Sequence, residues 1–379
     1  MDVETWEGAG LYQPEAPGAH ERLALLEYLS AQGANLEQML DAQRRASLPA
    51  LAGELLLGTE IESTSVEETA QRWGLPIERV QRVLLAVGLP AGPDSRFPKD
   101  LDALMSAFER GIVVGEDSLL AFARVLGAAA TNIAEAAIAL FYAELGPRTT
   151  GDGTDELRRA HMSEAAVEAY NLVPDVLSAL LKVQLTRASR RAVLARATPA
   201  SGESEPLAAS RPSEVVALGF IDLVGSTAWA AGINLRDQNL ALSRFESVAW
   251  SSSVQAGGRV IKMIGDEVFF SAPTVDAACE IAFEVCSAVA RDSLLPPARG
   301  AIGHGQVIPR EGDYFGPLVN LVARLAKIPR AGELVITKDA AADLSAERWT
   351  LKELEPAHVR GLEDPVPIFA VTKAGARQA

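Results

Sequence analysis

The segment Gly219-Phe220-Ile221-Asp222-Leu223-Val224-Gly225-Ser226-Thr227 runs from an apolar strand pattern into a carboxylate and then a glycine turn. A second segment, Lys262-Met263-Ile264-Gly265-Asp266-Glu267, repeats the device of apolar strand, glycine and carboxylate. Asp222 closes the first strand, and Asp266 sits at the tip of a predicted hairpin. The stretch between them holds one helix and one strand, so neighbouring strands can bring the two carboxylates together. Side by side and unpaired they would repel, and one would hold a proton. A divalent cation relieves that repulsion. Hard cations on oxygen ligands beside backbone amides are what a nucleoside triphosphate requires. Either aspartate alone reads as a turn or helix cap. The pair, with its glycines, reads as a metal site.

The surrounding pattern alternates strand and helix. Strands are predicted at residues 215–223, 259–264, 268–271, 298–308 and 334–337, and helices at 238–254, 275–290 and 318–326. The order β-α-β-β-α-β is that of a ferredoxin-like core with C-terminal additions. Gly225-Ser226-Thr227 precedes a helix, so its backbone amides form a nest suited to β- and γ-phosphates.

Two further pairs carry chemistry. Lys262 only donates hydrogen bonds and an ionised Asp313 only accepts them. Together they match the acceptor N1 and donor 6-amino group of adenine, whereas guanine would meet like with like. A site built this way can reject the wrong edge by roughly 10⁴-fold. Asn320 and Arg324 are four apart on a predicted helix and share a face. The arginine can stabilise charge on a transferred phosphate and the asparagine can place a ribose oxygen.

The chain has 379 residues, 48% of them hydrophobic and 22% charged, which describes a globular protein with room for two domains. The net charge of -15 repels nucleic acid and anionic membranes. No run is expected to cross a membrane: the most apolar stretch, 121–145, is interrupted by Arg124, Asn132, Glu135 and Glu144 and reads as a buried helix. The two cysteines, Cys279 and Cys286, lie on one predicted helix and read as reduced core thiols. A cytoplasmic setting fits. Small, polar and proline-bearing residues mark a linker at 197–213. It divides an all-helical N-terminal domain, 1–196, from a catalytic domain, 214–379, giving an α+β chain overall.

Taken together, the blocks Phe220–Gly225, Lys262–Glu267 and Asp313–Arg324 resemble the catalytic domain of class III nucleotidyl cyclases, adenylyl cyclases in particular. The resemblance implies a head-to-tail homodimer with two sites at its interface. One chain would supply Asp222 and Asp266, with the Leu223 backbone carbonyl, to two divalent cations, Mg2+ or Mn2+. The other would supply Lys262 and Asp313 for the adenine of ATP, and Asn320 and Arg324 for the transition state. The product would be cyclic AMP, with release of pyrophosphate. Two departures concern packing only: Ser226 stands where the family usually has phenylalanine, and Val322 where alanine is commoner. The helical first half looks like the regulatory domain of some actinobacterial soluble cyclases, which implies autoinhibition and a response to pH.

Within that half, Thr64 to Leu89 resembles a helix-turn-helix, but its three arginines are balanced by Glu67, Glu68 and Glu78. A DNA reader needs a positive face, so a reused packing motif is the expectation. The alternative for 121–145 is the lining of a pocket for a lipid-like ligand. The histidines that could sense protons are His161, His304 and His358, with His20 near the start.

Overall fold

The computed structural model describes residues 1–56, 63–101, 104–106, 115–145, 156–197 and 213–375. The chain divides into two compact units, Met1–Pro199 and Ala200–Ala379. The linker read at 197–213 falls, apart from its two end residues, outside the described residues.

The first unit contains helices α1 (Val3–Gly8), α2 (Ala19–Ala31), α3 (Leu36–Arg44), α4 (Leu51–Leu56), α5 (Val66–Trp73), α6 (Ile77–Ala86), α7 (Glu116–Leu145), α8 (Glu156–Asn171) and α9 (Val173–Ala197). It is helical except for a small antiparallel ribbon, in which β1 (Ser63–Ser65) pairs with β2 (Arg96–Pro98). Trp6, Leu25, Leu26, Leu29 and Met39 form one core cluster. Val66, Val80, Val83, Leu84 and Phe97 form another. Ser65 and Glu68 close the start of α5 with a reciprocal capping box, and Gly74 ends it at φ 60. In the stretch that resembles a helix-turn-helix, the apolar residues are packed and two of the arginines are paired. Val80, Val83 and Leu84 face the core, while Arg79 and Arg82 are both drawn to Glu116, at 3.6 and 2.7 Å.

The expectation of a buried helix over 121–145 is overturned. Ala123 is buried, but Phe122 is 59% exposed, and Leu126 and Ile138 are also on the surface. By length and composition alone, residues 116–140 also reach what a membrane span needs, with mean hydropathy 1.3, contrary to the expectation of no such segment. The interrupting charges do not break the helix, because charged side chains on long stems are compatible with helix formation. α9 likewise exposes Leu177, Leu180, Leu181 and Leu185. Ile133 of α7, Leu172 and the α9 residues Val176, Leu177 and Leu180 line an open cavity of about 380 Å³.

The second unit is built on β3 (Glu214–Leu223), whose run of apolar residues is buried on both faces. Helices α10 (Ser226–Ala231) and α11 (Leu235–Gln255) follow, then the hairpin β4 (Arg259–Ile264) and β5 (Glu267–Ala272), then α12 (Val275–Arg291). After these come β6 (Ala298–Arg310), β7 (Asp313–Phe315), α13 (Pro317–Leu325), β8 (Leu334–Thr337), α14 (Lys338–Ala342), β9 (Trp349–Glu353) and β10 (Ile368–Lys373). The sheet order is β4-β5-β3-β6-β8-β10-β9, with β7 folded back on β6. The first four strands have the ferredoxin-like order, and the rest extend the sheet. One face packs Ile221 and Phe270 against Phe245 of α11 and Ile281 of α12. The other packs Leu218, Phe220 and Phe269 against Val322 and Leu325 of α13. Cys279 and Cys286 are buried, free thiols, and burial pushes both up to about 12.

The valine at 322 is accommodated by a missing side chain. A Cβ on Gly303 of β6 would lie 2.5 Å from Val322 Cγ2 and 2.9 Å from Leu318 Cδ1. Val322 is fully buried and stiff at χ1, so it cannot give way cheaply. Gly303→Ala is therefore expected to destabilise the protein by about 1–3 kcal/mol. Adding Val322→Ala should restore part of that loss. Denaturant unfolding of the two single variants and the double would show the coupling; strictly additive losses would rule it out.

Candidate active site

β3 is paired on both sides, and that pairing assembles a charge cluster at its C-terminal end. Asp222 lies opposite Glu267 of β5 and opposite Arg299 of β6. It is only 5% exposed. Arg299 donates to Asp222 Oδ2 through Nε at 3.3 Å and Nη2 at 3.2 Å, and through Nη1 to the Pro329 carbonyl at 3.3 Å. Lys327, just after α13, donates to Asp222 Oδ1 at 2.5 Å and to Glu267 Oε2 at 3.1 Å. The remaining oxygen, Glu267 Oε1, is buried without a hydrogen-bond partner. Burial is the main reason the Glu267 carboxyl sits above its ordinary value; Lys327 opposes that shift and the charges of Asp222 and Asp266 add to it. For Lys327 burial acts downward, but the bonds and charges of Asp222 and Glu267 outweigh it, so the ammonium ends above its usual range.

Asp266 stands at the β4–β5 turn, where Gly265 takes φ 62. The Leu223 N–H donates to the Asp266 carbonyl at 3.2 Å, which places Asp222, Leu223 and Asp266 side by side. The loop that follows is fixed at both ends. Gly225 takes φ 70 immediately before α10. The Val224 N–H donates to the Pro297 carbonyl at 2.8 Å, and Trp229 Nε1 to the Leu294 carbonyl at 2.9 Å. Ser226 and Thr227 thus start a short helix beside Asp222.

Lys262 and Asp313 meet in a direct ion pair. The β6–β7 hairpin carries Asp313 across to β4, and the Tyr314 N–H fixes Asp313 Oδ1 at 2.7 Å. Lys262 lies over the Phe269 ring, 5.9 Å from its centroid. Asn320 and Arg324 are both exposed on α13. Arg324 Nη1 donates to the Arg360 carbonyl. A Cβ on the neighbouring Gly361 would come within 3.2 Å of that same nitrogen. Among the described residues no hydrogen bond or ion pair joins the Asp222–Asp266 end to Lys262–Asp313, or either of these to Asn320 and Arg324.

Sequence reasoning missed three participants. Glu267 stood inside the quoted motif without a role. Arg299 and Lys327 stood outside every motif, at 77 and 105 residues from Asp222. Only the strand register of Arg299 could have pointed to it, and nothing local pointed to Lys327.

A family model described as an adenylate cyclase regulatory domain matches residues 9–189. An adenylate cyclase of Streptomyces coelicolor is 29% identical over 334 residues, 84% of this chain and 82% of its own. A pH-sensitive adenylate cyclase of Mycobacterium tuberculosis is 26% identical over 369 residues, 94% of this chain and 89% of its own. An uncharacterised protein of the same species is 29% identical over 374 residues, 97% of this chain and 94% of its own. The chain is thus similar along most of its length to proteins named adenylate cyclase, and its first unit matches a family of adenylate cyclase regulatory domains. A helical first unit followed by a mixed-sheet second unit makes the chain α+β.

The residues of this cyclase fit divalent cations. No group of three or more histidine, cysteine or acidic side chains arranged to hold a metal occurs among the described residues. A Mg2+-type site does not need one: one or two carboxylates suffice when substrate phosphates supply the other ligands. Asp222 and Asp266 could supply those two, and Glu267 Oε1 beside them is buried without a hydrogen-bond partner.

Because burial raises Glu267, its ionised form costs stability. The folded state binds that proton more tightly than the unfolded state. The penalty is therefore absent in acid and grows as pH rises above the ordinary value of 4.5. Glu267→Gln should gain in melting temperature relative to the parent between pH 4 and pH 8. A difference that does not change with pH would refute the assignment.

Proposed function

We propose that this cyclase converts ATP to 3′,5′-cyclic AMP and pyrophosphate at sites shared between two head-to-tail copies of the chain. The observation that carries the reading is the buried Asp222, set beside Asp266 and the Gly225 loop and neutralised by internal cations. Asp222, Asp266 and the Leu223 carbonyl would hold two divalent cations, Mg2+ or Mn2+. The chemistry that such ions supply is acidification of the ribose 3′-hydroxyl and neutralisation of the triphosphate.

The remaining work belongs to the chain. The amides of Gly225, Ser226 and Thr227 donate to β- and γ-phosphates. Lys262 donates to adenine N1, and Asp313 accepts from the 6-amino group. Asn320 places the ribose ring. Arg324 stabilises the negative charge that builds on the α-phosphate as the 3′-oxygen attacks and pyrophosphate departs. Sharing of the site between chains is supported by the absence, among the described residues, of any bond between the carboxylate end and the other two pairs.

The helical first unit is the regulatory part of the reading, in a cytoplasmic enzyme. A lipid-like ligand is supported by the apolar cavity around Leu172 and Leu177. A proton signal has His161, which stacks edge-on against Tyr28 at 4.6 Å, as a candidate receiver. In the catalytic unit, His304 Nδ1 lies 2.5 Å from Asp343.

Purified protein given ATP or GTP with Mg2+ or Mn2+ is expected to release cyclic AMP from ATP, and little or no cyclic GMP from GTP. Asp222→Ala and Lys262→Ala should each lower turnover by about 10²-fold or more. Mixing the two inactive variants should restore activity, because one of the two sites in the mixed dimer keeps both residues. No recovery on mixing would place the whole site within one chain, and no cyclic product under any condition would overturn the reading.

A further inference from the structure

We propose that Lys327 is a resident counter-cation of the metal site, holding the place between Asp222 and Glu267 until a divalent ion displaces it. The proposal rests on the cyclase reading of Asp222 and Asp266. Asp222 and Glu267 are cross-strand neighbours, both buried, and two negative charges in that position repel. Positive charge must be supplied from inside the protein whenever metal is absent. Two groups supply it, and they differ in kind.

Arg299 is fixed. Its planar fork binds one oxygen of Asp222 twice and the Pro329 carbonyl once. Lys327 is removable. Its side chain is 47% exposed, its ammonium ends a flexible stem, and it follows the last turn of α13. It bonds Asp222 Oδ1 and Glu267 Oε2, one oxygen from each of the paired strands. A divalent ion bound by Asp222 would face a positive charge at a few ångströms, where repulsion in a partly buried site is strong. The charges also match an exchange. Asp222, Asp266 and Glu267 with Arg299 alone leave two negative charges, the complement of one divalent ion. With Lys327 in place the cluster is one negative charge short of that.

The test is Mn2+ binding by the full-length protein without nucleotide, followed by electron paramagnetic resonance, together with thermal melting. Lys327→Met is expected to bind Mn2+ about tenfold more tightly than the parent, or better, since a charge this near shifts a carboxylate's cation affinity by about that factor. Without metal the variant should melt at a lower temperature, and Mn2+ should raise it by more than it raises the parent. Lys327→Gln should behave like Lys327→Met, and Lys327→Arg should stay within about threefold of the parent. Unchanged or weaker Mn2+ binding by both neutral variants overturns the proposal. Asp222→Asn separates this from failure of the cyclase reading. If that variant loses Mn2+ while the neutral Lys327 variants match the parent, only the role of Lys327 falls. If it binds Mn2+ as the parent does, the metal site itself is misassigned and both fall.

Discussion

A carboxylate buried at the end of a central strand must be compensated, and the catalytic unit is organised around that requirement. Asp222 cannot be left unpaired at 5% exposure, and it faces a second buried carboxylate. Its partners come from β6 and from the residue pair after α13, so neutralising it needs the sheet and the helix in place together. Arg299 adds a bond to the Pro329 carbonyl, which ties the segment after α13 to the strand ends. Removing one member of such a set leaves an uncompensated buried charge, a loss of several kcal/mol in typical cases. The cluster therefore serves the fold, and on the proposed reading the same carboxylates would hold the divalent ions.

The sequence made one layer of this legible and hid another. The strand run ending at Asp222, the Gly265-Asp266 turn and the helix bearing Asn320 and Arg324 were readable because each depends on a local pattern: apolar run, positive φ, helical spacing. Lys262 and Asp313 were paired by their chemistry, and the β6–β7 hairpin brings them into contact. Arg299 and Lys327 were not legible, since an isolated basic residue has no pattern and its partner lies 77 or 105 residues away. The same limit explains Gly303. Its meaning depends on Val322 above it, a contact set by how α13 lies on the sheet.

Helix α7 shows where composition misleads. An apolar stretch predicts burial only if the unit supplies enough surface to cover it. In the first unit the core clusters are filled mainly by α1–α6, with Phe97, Met105, Ala123 and Ala160, while Phe122, Leu126 and Ile138 of α7 and Val176, Leu180 and Leu185 of α9 face outward. Sequence periodicity gives the helix; it does not give the number of neighbours.

The charged groups of the site are already bonded to this chain. Lys262 holds Asp313, Arg324 holds the Arg360 carbonyl, and Asp222 holds Arg299 and Lys327. On the proposed reading, nucleotide and metal would displace these internal bonds. The gain on binding is the difference between two sets of bonds, which keeps it small for a wrong base and larger for a right one. On the proposed reading, adenine would replace the Lys262–Asp313 pair with one bond to each partner, and that exchange would set the selection. A free lysine and a free aspartate at the same places would discriminate less, because each could rotate to find water. On that reading the ion pair would act in base selection as well as in the resting chain.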